Sequence, residues 1–244
     1  MSSRSPAVTT SATALSEPDL LSREFISEGG LRTVLAREAP SLRLLSDSEL
    51  AVSLQATLAA RPPGDVWIFG YGSLIWNPTV HTVESRTARV DGWHRSFCLS
   101  VTAGRGSIAA PGLLLGLDKG GECEGVAFRL AEETLNRELE LLWRREMATA
   151  AYIPHWVSLL NKGGHRFGWA IAFTMNTLSS QYAGSLPAGL VARRIAEAAG
   201  SLGSCADYLF RTRAALAANG IIDPALNTLA EEVEAILPPM ADRR

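Results

Sequence analysis

The spacing of apolar positions changes character about a quarter of the way along the 244-residue chain. Between residues 19 and 60 it is helical. Leu20, Leu21 and Phe25 begin one short segment, and Leu50, Val52, Leu54 and Leu58 mark a second that starts at Ser46 or Asp47 as N-cap. The stretch Arg61-Pro62-Pro63-Gly64-Asp65 closes this extension. From Val66 onward, short apolar runs alternate with glycine-rich turns, and strands are predicted at 66–70, 86–91, 94–101, 112–117, 123–130, 154–160 and 166–174. Val126, Phe128 and Leu130 alternate with Ala127 and Arg129, the period of a strand with one buried face. Runs this short and this close in sequence favour an antiparallel sheet or small barrel over a doubly wound parallel one.

Helices are predicted at 131–148 and across 187–218, the latter splitting near Gly200–Gly203. Its later half starts at Ser204 with Asp207 three residues on, a capping-box pattern, and stops at Asn219-Gly220. Asp223-Pro224 pairs an N-cap residue with the residue favoured at the first helical position. The pattern describes an α+β domain over 61–240, a small, mostly antiparallel β-barrel or sheet with flanking helices. A helical extension at 19–60 precedes it, and a low-complexity tail at 1–18 is expected to be disordered.

Composition narrows the function classes. With 47% hydrophobic and 20% charged residues, the chain has the material for one sizeable core. A formal net charge of -2 argues against a nucleic-acid binder. No apolar run approaches the ~20 residues that cross a bilayer. The Ser/Thr/Ala-rich N-terminus lacks the compact apolar segment of a signal peptide. Cys98, Cys123 and Cys205 are odd in number and widely spaced, neither a disulfide framework nor a zinc pattern, which suits a reducing cytoplasm.

Candidate chemistry begins at Phe69-Gly70-Tyr71-Gly72-Ser73-Leu74. A phosphate-binding P-loop requires a lysine after its glycines, and none follows until Lys119. A dinucleotide fingerprint requires a third glycine, where this chain has Ile75. A nucleophilic Ser73 needs a histidine partner, and His81, His94, His155 and His165 lie in no esterase context. One reading is a turn whose glycines only permit unusual backbone angles. The other is a loop whose N–H groups and hydroxyl hold a carboxylate or a developing oxyanion. A thiol nucleophile at Cys98, with His94 at even spacing on the strand, competes with a buried cysteine acting as a small hydrophobe.

A second candidate stands out by position. Leu135, Leu139 and Leu142 form a helical stripe, and the next position in the series is Glu146. Glu132, Glu133, Glu138 and Glu140 fall off that stripe and are expected in solvent. A carboxylate on an apolar face either pairs with an arginine, Arg144 and Arg145 being adjacent, or has its pKa raised toward the range of a general base.

The segment Val66–Pro78 (VWIFGYGSLIWNP) resembles the ChaC family of γ-glutamylcyclotransferases. ARVDGWHRSFCL at 88–99, PGLLLGLDKGGECEGVAFRL at 111–130, LLWRREM at 141–147 and CADYLF at 205–210 extend the resemblance in order. It implies the γ-glutamylcyclotransferase-like fold and a reaction in which the α-amine of a γ-glutamyl group attacks its own γ-carbonyl. From glutathione the products are 5-oxoproline and cysteinylglycine, with neither metal nor organic cofactor. The family's acid/base glutamate maps onto Glu146, and its substrate loop onto Phe69, Gly70, Tyr71, Gly72, Ser73 and Leu74. Arg95, Tyr152 and Tyr182 are further candidate substrate contacts, Arg95 facing either the substrate α-carboxylate or a structural acid. The expected protein is a cytoplasmic monomer or weak homodimer acting on a small molecule, with no nucleic-acid or membrane partner. Alternatives are a cyclotransferase for other γ-glutamyl amines or dipeptides, and a non-catalytic regulator of the kind once associated with cation transport.

Overall fold

The computed structural model describes residues 21–238. The expected tail at 1–18 and Leu20 lie outside the described residues, as do the last two positions of the 61–240 domain.

Five strands close into a barrel in the order β1 (Val66–Gly70), β3 (Gly112–Arg129), β2 (Glu84–Val101), β4 (Tyr152–Leu160), β5 (Arg166–Met175). Successive neighbours are antiparallel; β5 pairs parallel with β1, Val66 to Trp169 through Ile68 to Ile171, which completes the ring, and with β3 at Leu117 to Thr174. Between β2 and β4 the ring closes through the single register pair Arg89 to Leu160. The expected antiparallel architecture is present, but strand count differs from the sequence reading. Residues 86–91 and 94–101 belong to one strand, and so do 112–117 and most of 123–130. The register of β2 against β3 shifts at Asp91/Trp93, where Gly92 has φ 83°, opposite Gly120 and Gly121 with φ 102° and 67°. Glycines that resemble turn residues are here bulges that bend two long strands around the barrel.

The helices follow their sequence signals. α3 (Asp47–Ala59) opens with a full capping box between Ser46 and Glu49. Its Val52 is 70% exposed, so the buried face is carried by Leu50 and Leu54. Before it come α1 (Arg23–Ser27) and α2 (Gly30–Glu38). α4 (Leu135–Glu146) follows a 3-10 turn at Glu132–Thr134. α5 (Ala188–Glu197) and α6 (Cys205–Ala218) are divided by a tiny hairpin, β6 (Ala199–Gly200) with β7 (Gly203–Ser204), at the predicted break. The Ser204 hydroxyl caps α6 through the Asp207 N–H, and Asp223 with Pro224 starts α7 (Pro224–Ile236). Among the described residues, no helix is long and apolar enough to cross a membrane.

Two apolar clusters hold these layers. One fills the barrel with Phe69, Leu113 and Leu117 and continues to α5, α6 and α7. The other packs α3 and α4 on the opposite side of β1 and β5 through Leu139, Leu142, Trp143 and Phe173. The extension is bound to the barrel domain as well. Leu45 N–H donates to Ala148 O, and Leu44 bridges Thr149, just beyond the end of α4.

Candidate active site

The stripe of α4 is buried as its spacing demands: Leu135, Leu139 and Leu142 are at most 5% exposed. Following it, Glu146 ends the helix with its side chain 14% exposed, turned into a cavity that it shares with Ser73, Arg105, Arg145, Tyr152 and Tyr208. Burial raises its pKa above the ordinary 4.5, and the Arg145 charge opposes the rise. Its position at the C-terminal end of α4, where the helix dipole is negative, acts in the same direction as burial. Arg145 Nε reaches Glu146 Oε1 at 2.9 Å, so the adjacent arginine does pair with the carboxylate. The same guanidinium also holds Asn77 O and the Thr79 hydroxyl, and its Nη2 donates to Ser73 Oγ at 3.0 Å. Arg145 thereby locks the loop after β1 against the C-terminal end of α4.

That loop turns at Ser73–Ile75 in a single 3-10 turn. A Cβ on Gly72 would stand 2.6 Å from the Tyr208 hydroxyl, so any larger residue there forces that side chain or the loop to shift. Ser73 is the loop residue that lines the cavity. Phe69 is fully buried in the barrel core, Leu74 packs in the second cluster, and Gly70 is the last residue of β1. Tyr71 donates its hydroxyl to Phe173 O at 2.7 Å.

Tyr152 lines the cavity and donates to Leu115 O at 2.8 Å. Burial pushes Tyr71 and Tyr152 well above the usual phenol range and Tyr208 up to about 12, and the Glu146 charge adds to the rise in all three. These phenols stay protonated around the carboxylate.

Two expected contacts are elsewhere. Arg95 is engaged on every side: Nε with Tyr71 O at 2.6 Å, Nη2 with Glu124 O at 2.5 Å and Nη1 with Asp223. Of its two expected roles the structure displays the pairing with a structural acid, tying the start of α7 to the barrel. The Tyr182 hydroxyl donates to Asp118 at 2.8 Å and lies outside the cavity, while its neighbour Gln181 lines it. Nor does a thiol nucleophile assemble. Cys98 is fully buried with its pKa pushed to about 11 by burial, whereas His94 is exposed and faces Gly120 O. The register shift between Ser96 and Leu99 breaks the even spacing that would have put both on one face.

Sequence reasoning missed three parts of the site. Arg105 comes from the loop between β2 and β3, a region with no periodic signal. Tyr208 comes from α6, although CADYLF had drawn notice as a motif. Leu21, Leu31 and Leu35 of the N-terminal extension form an apolar wall, and the α2 carboxylate of Glu38 accepts the Gly104 N–H at 2.9 Å. Glu138 corrects an expectation as well. It is 1% exposed, clasped by both Arg23 Nη atoms at 2.6 and 2.9 Å and by the His81 N–H at 2.9 Å.

Comparison with known proteins meets this geometry. The family described as ChaC-like protein matches residues 66–236. The glutathione-specific gamma-glutamylcyclotransferase of Escherichia coli (strain K12) is 45% identical over 219 residues, covering 89% of this chain and 94% of that protein. The glutathione-specific gamma-glutamylcyclotransferase 1 of Mus musculus is 32% identical, covering 65% of this chain and 73% of its own. In fold, the chain is similar to the crystal structure of the yeast cyclotransferase specific to glutathione, with TM-score 0.65 and 23% identity over 74% of this chain and 100% of that one. The family match and the 45% identity together show that the chain belongs to the ChaC-like family.

Proposed function

We propose that this protein is a glutathione-specific γ-glutamylcyclotransferase in which Glu146 is the general acid/base. The observation that carries the reading is the desolvated Glu146 carboxylate, raised in pKa, facing the cavity beside the loop of Gly72 and Ser73. Identity of 45% to the Escherichia coli protein of that name supports the choice of glutathione over other γ-glutamyl amines.

The chemistry follows from the parts. The substrate α-amine, with a reference pKa of ~8, is largely protonated near neutral pH and cannot attack in that form. Glu146 accepts the proton, and the amine nitrogen then bonds to the γ-carbonyl carbon of the same molecule. The γ-carbon–nitrogen bond to cysteinylglycine breaks as Glu146 returns the proton to the departing nitrogen, and the second proton, shed by the attacking nitrogen as it becomes the lactam amide, passes to the freed amine or to solvent. A residue serving in both directions contributes about 10²–10⁴ in rate. Holding the γ-glutamyl chain folded makes the attack intramolecular, which removes much of its entropic cost. The charge growing on the γ-carbonyl oxygen falls to backbone N–H groups of the 70–74 loop, with the Ser73 hydroxyl as a binding contact. Tyr152 and Tyr208, kept neutral, serve as further hydroxyl contacts. The reading is completed by a cytoplasmic setting and a monomer or weak homodimer.

The test is 5-oxoproline formation from glutathione by the full chain and by Glu146→Gln. The wild type forms 5-oxoproline, and the variant folds normally and loses at least about 10² of that rate. Near wild-type turnover in the variant would remove Glu146 from its role. A wild type that binds glutathione without turnover would favour the regulatory alternative.

A further inference from the structure

Glutathione carries two carboxylates, and the cavity is lined by two guanidiniums. Arg145 is occupied by Glu146, Ser73, Asn77 and Thr79. Arg105 is different. Its side chain is 9% exposed, and its hydrogen bonds to described residues all come from Nη1, to Ser204 O at 2.7 Å and Asp207 at 3.4 Å. Asp207 is half exposed and so screens that charge weakly. The guanidinium is held against the Trp76 and Tyr208 rings, 6.0 and 5.7 Å from their centroids. Gly104, beside it, is fixed on both sides, by Glu38 at its N–H and by the Leu202 N–H at its carbonyl, 2.7 Å away. A buried cation with donors to spare, on a fastened loop in the substrate cavity, is built to receive an anion.

Resting on the proposed activity, we infer that Arg105 binds the glycine carboxylate of glutathione, and that the apolar wall of Leu31 and Leu35 covers the cysteinyl portion between them. The γ-glutamyl α-carboxylate is one carbon from the α-amine, so its receptor must stand beside Glu146. Arg145 holds Glu146 at 2.9 Å, whereas Arg105 pairs with Asp207 and lies over the Tyr208 ring, so Arg105 is the guanidinium left for the other carboxylate of the tripeptide. The site then recognises a γ-glutamyl peptide with a free terminal carboxylate, and the N-terminal extension, through Glu38 and the α2 leucines, becomes part of its specificity.

Calorimetric titration in the Glu146→Gln background reads binding without turnover. Glutathione should bind about ten- to a hundredfold more tightly than its glycine ethyl ester, the range of a charge-assisted contact. Equal affinities would overturn the inference without any change at Arg105. Adding Arg105→Gln should weaken glutathione by the same factor and leave the ester unchanged, with Arg105→Lys recovering part of the loss. Equal weakening of both ligands would assign Arg105 to the α-carboxylate or to the fold, and overturn it. The activity assay above is separate: absent 5-oxoproline with these binding differences intact defeats the proposed reaction, not the carboxylate site.

Discussion

Glu138 and Glu146 lie eight residues apart on the same helix, both turned inward, and they have opposite characters. Glu138 sits in the first turn of α4, where the helix dipole favours a negative charge. Burial alone would raise its pKa, but the Arg23 and His81 contacts outweigh burial and leave it lowered. Glu146 sits in the last turn, where the dipole opposes it, with one oxygen on Arg145 and the cavity before it. Burial prevails there and its pKa rises. A buried carboxylate is structural when its partners satisfy it and reactive when they leave it wanting.

Exchanging the two roles by mutation sharpens the contrast, and its largest effect falls on catalysis: Glu146→Gln removes turnover while Glu138→Gln keeps it. Stability responds in reverse. Glu138→Gln should cost about 3 kcal/mol, the low end of the range for breaking a buried pair because Arg23 keeps some solvent, and thermal melts should fall by roughly 6–12 °C. Since the folded pKa of Glu138 lies below 4.5, its contribution is present above that pH and lost as acid drives protonation, so the deficit should shrink in acid melts. Glu146 has the opposite sign. Its raised pKa favours the folded state below 4.5 and loses that advantage as pH rises through the folded value, so Glu146→Gln should melt slightly higher at neutral pH.

Smaller effects divide the loop. Gly72→Ala should reduce kcat/KM by about tenfold or more, because its Cβ meets the Tyr208 hydroxyl and displaces the backbone donors. Ser73→Ala removes one hydrogen bond from Arg145, worth about 1 kcal/mol, and should lower kcat/KM by about fivefold. A larger loss at Ser73 than at Gly72 would shift the binding role from backbone to hydroxyl.

Local signals carried much of this fold. The N-cap at Ser46, the break near Gly200 and the Asp223-Pro224 start all describe interactions within a few residues, and they occur as read. Long strands were obscured because a bulge and a turn use the same glycines, and only the partner strand distinguishes Gly92 or Gly120 from a turn. The position of Glu146 was legible because an interrupted stripe is a local pattern. The burial of Glu138 was not, since Arg23 arrives from 115 residues away and satisfies a carboxylate whose spacing suggests solvent. Arginines followed the same rule. Nothing in the spacing of Arg95 and Arg105 reveals that Asp223 claims the first and that the second faces the cavity.

Carboxyl-resolved NMR titration of the selectively glutamate-labelled protein tests the central contrast most directly, with Glu138→Gln and Glu146→Gln spectra assigning the two signals. The account predicts that the Glu146 carboxyl titrates above 4.5 and the Glu138 carboxyl below it. A Glu146 midpoint at or below that of Glu138 would contradict it.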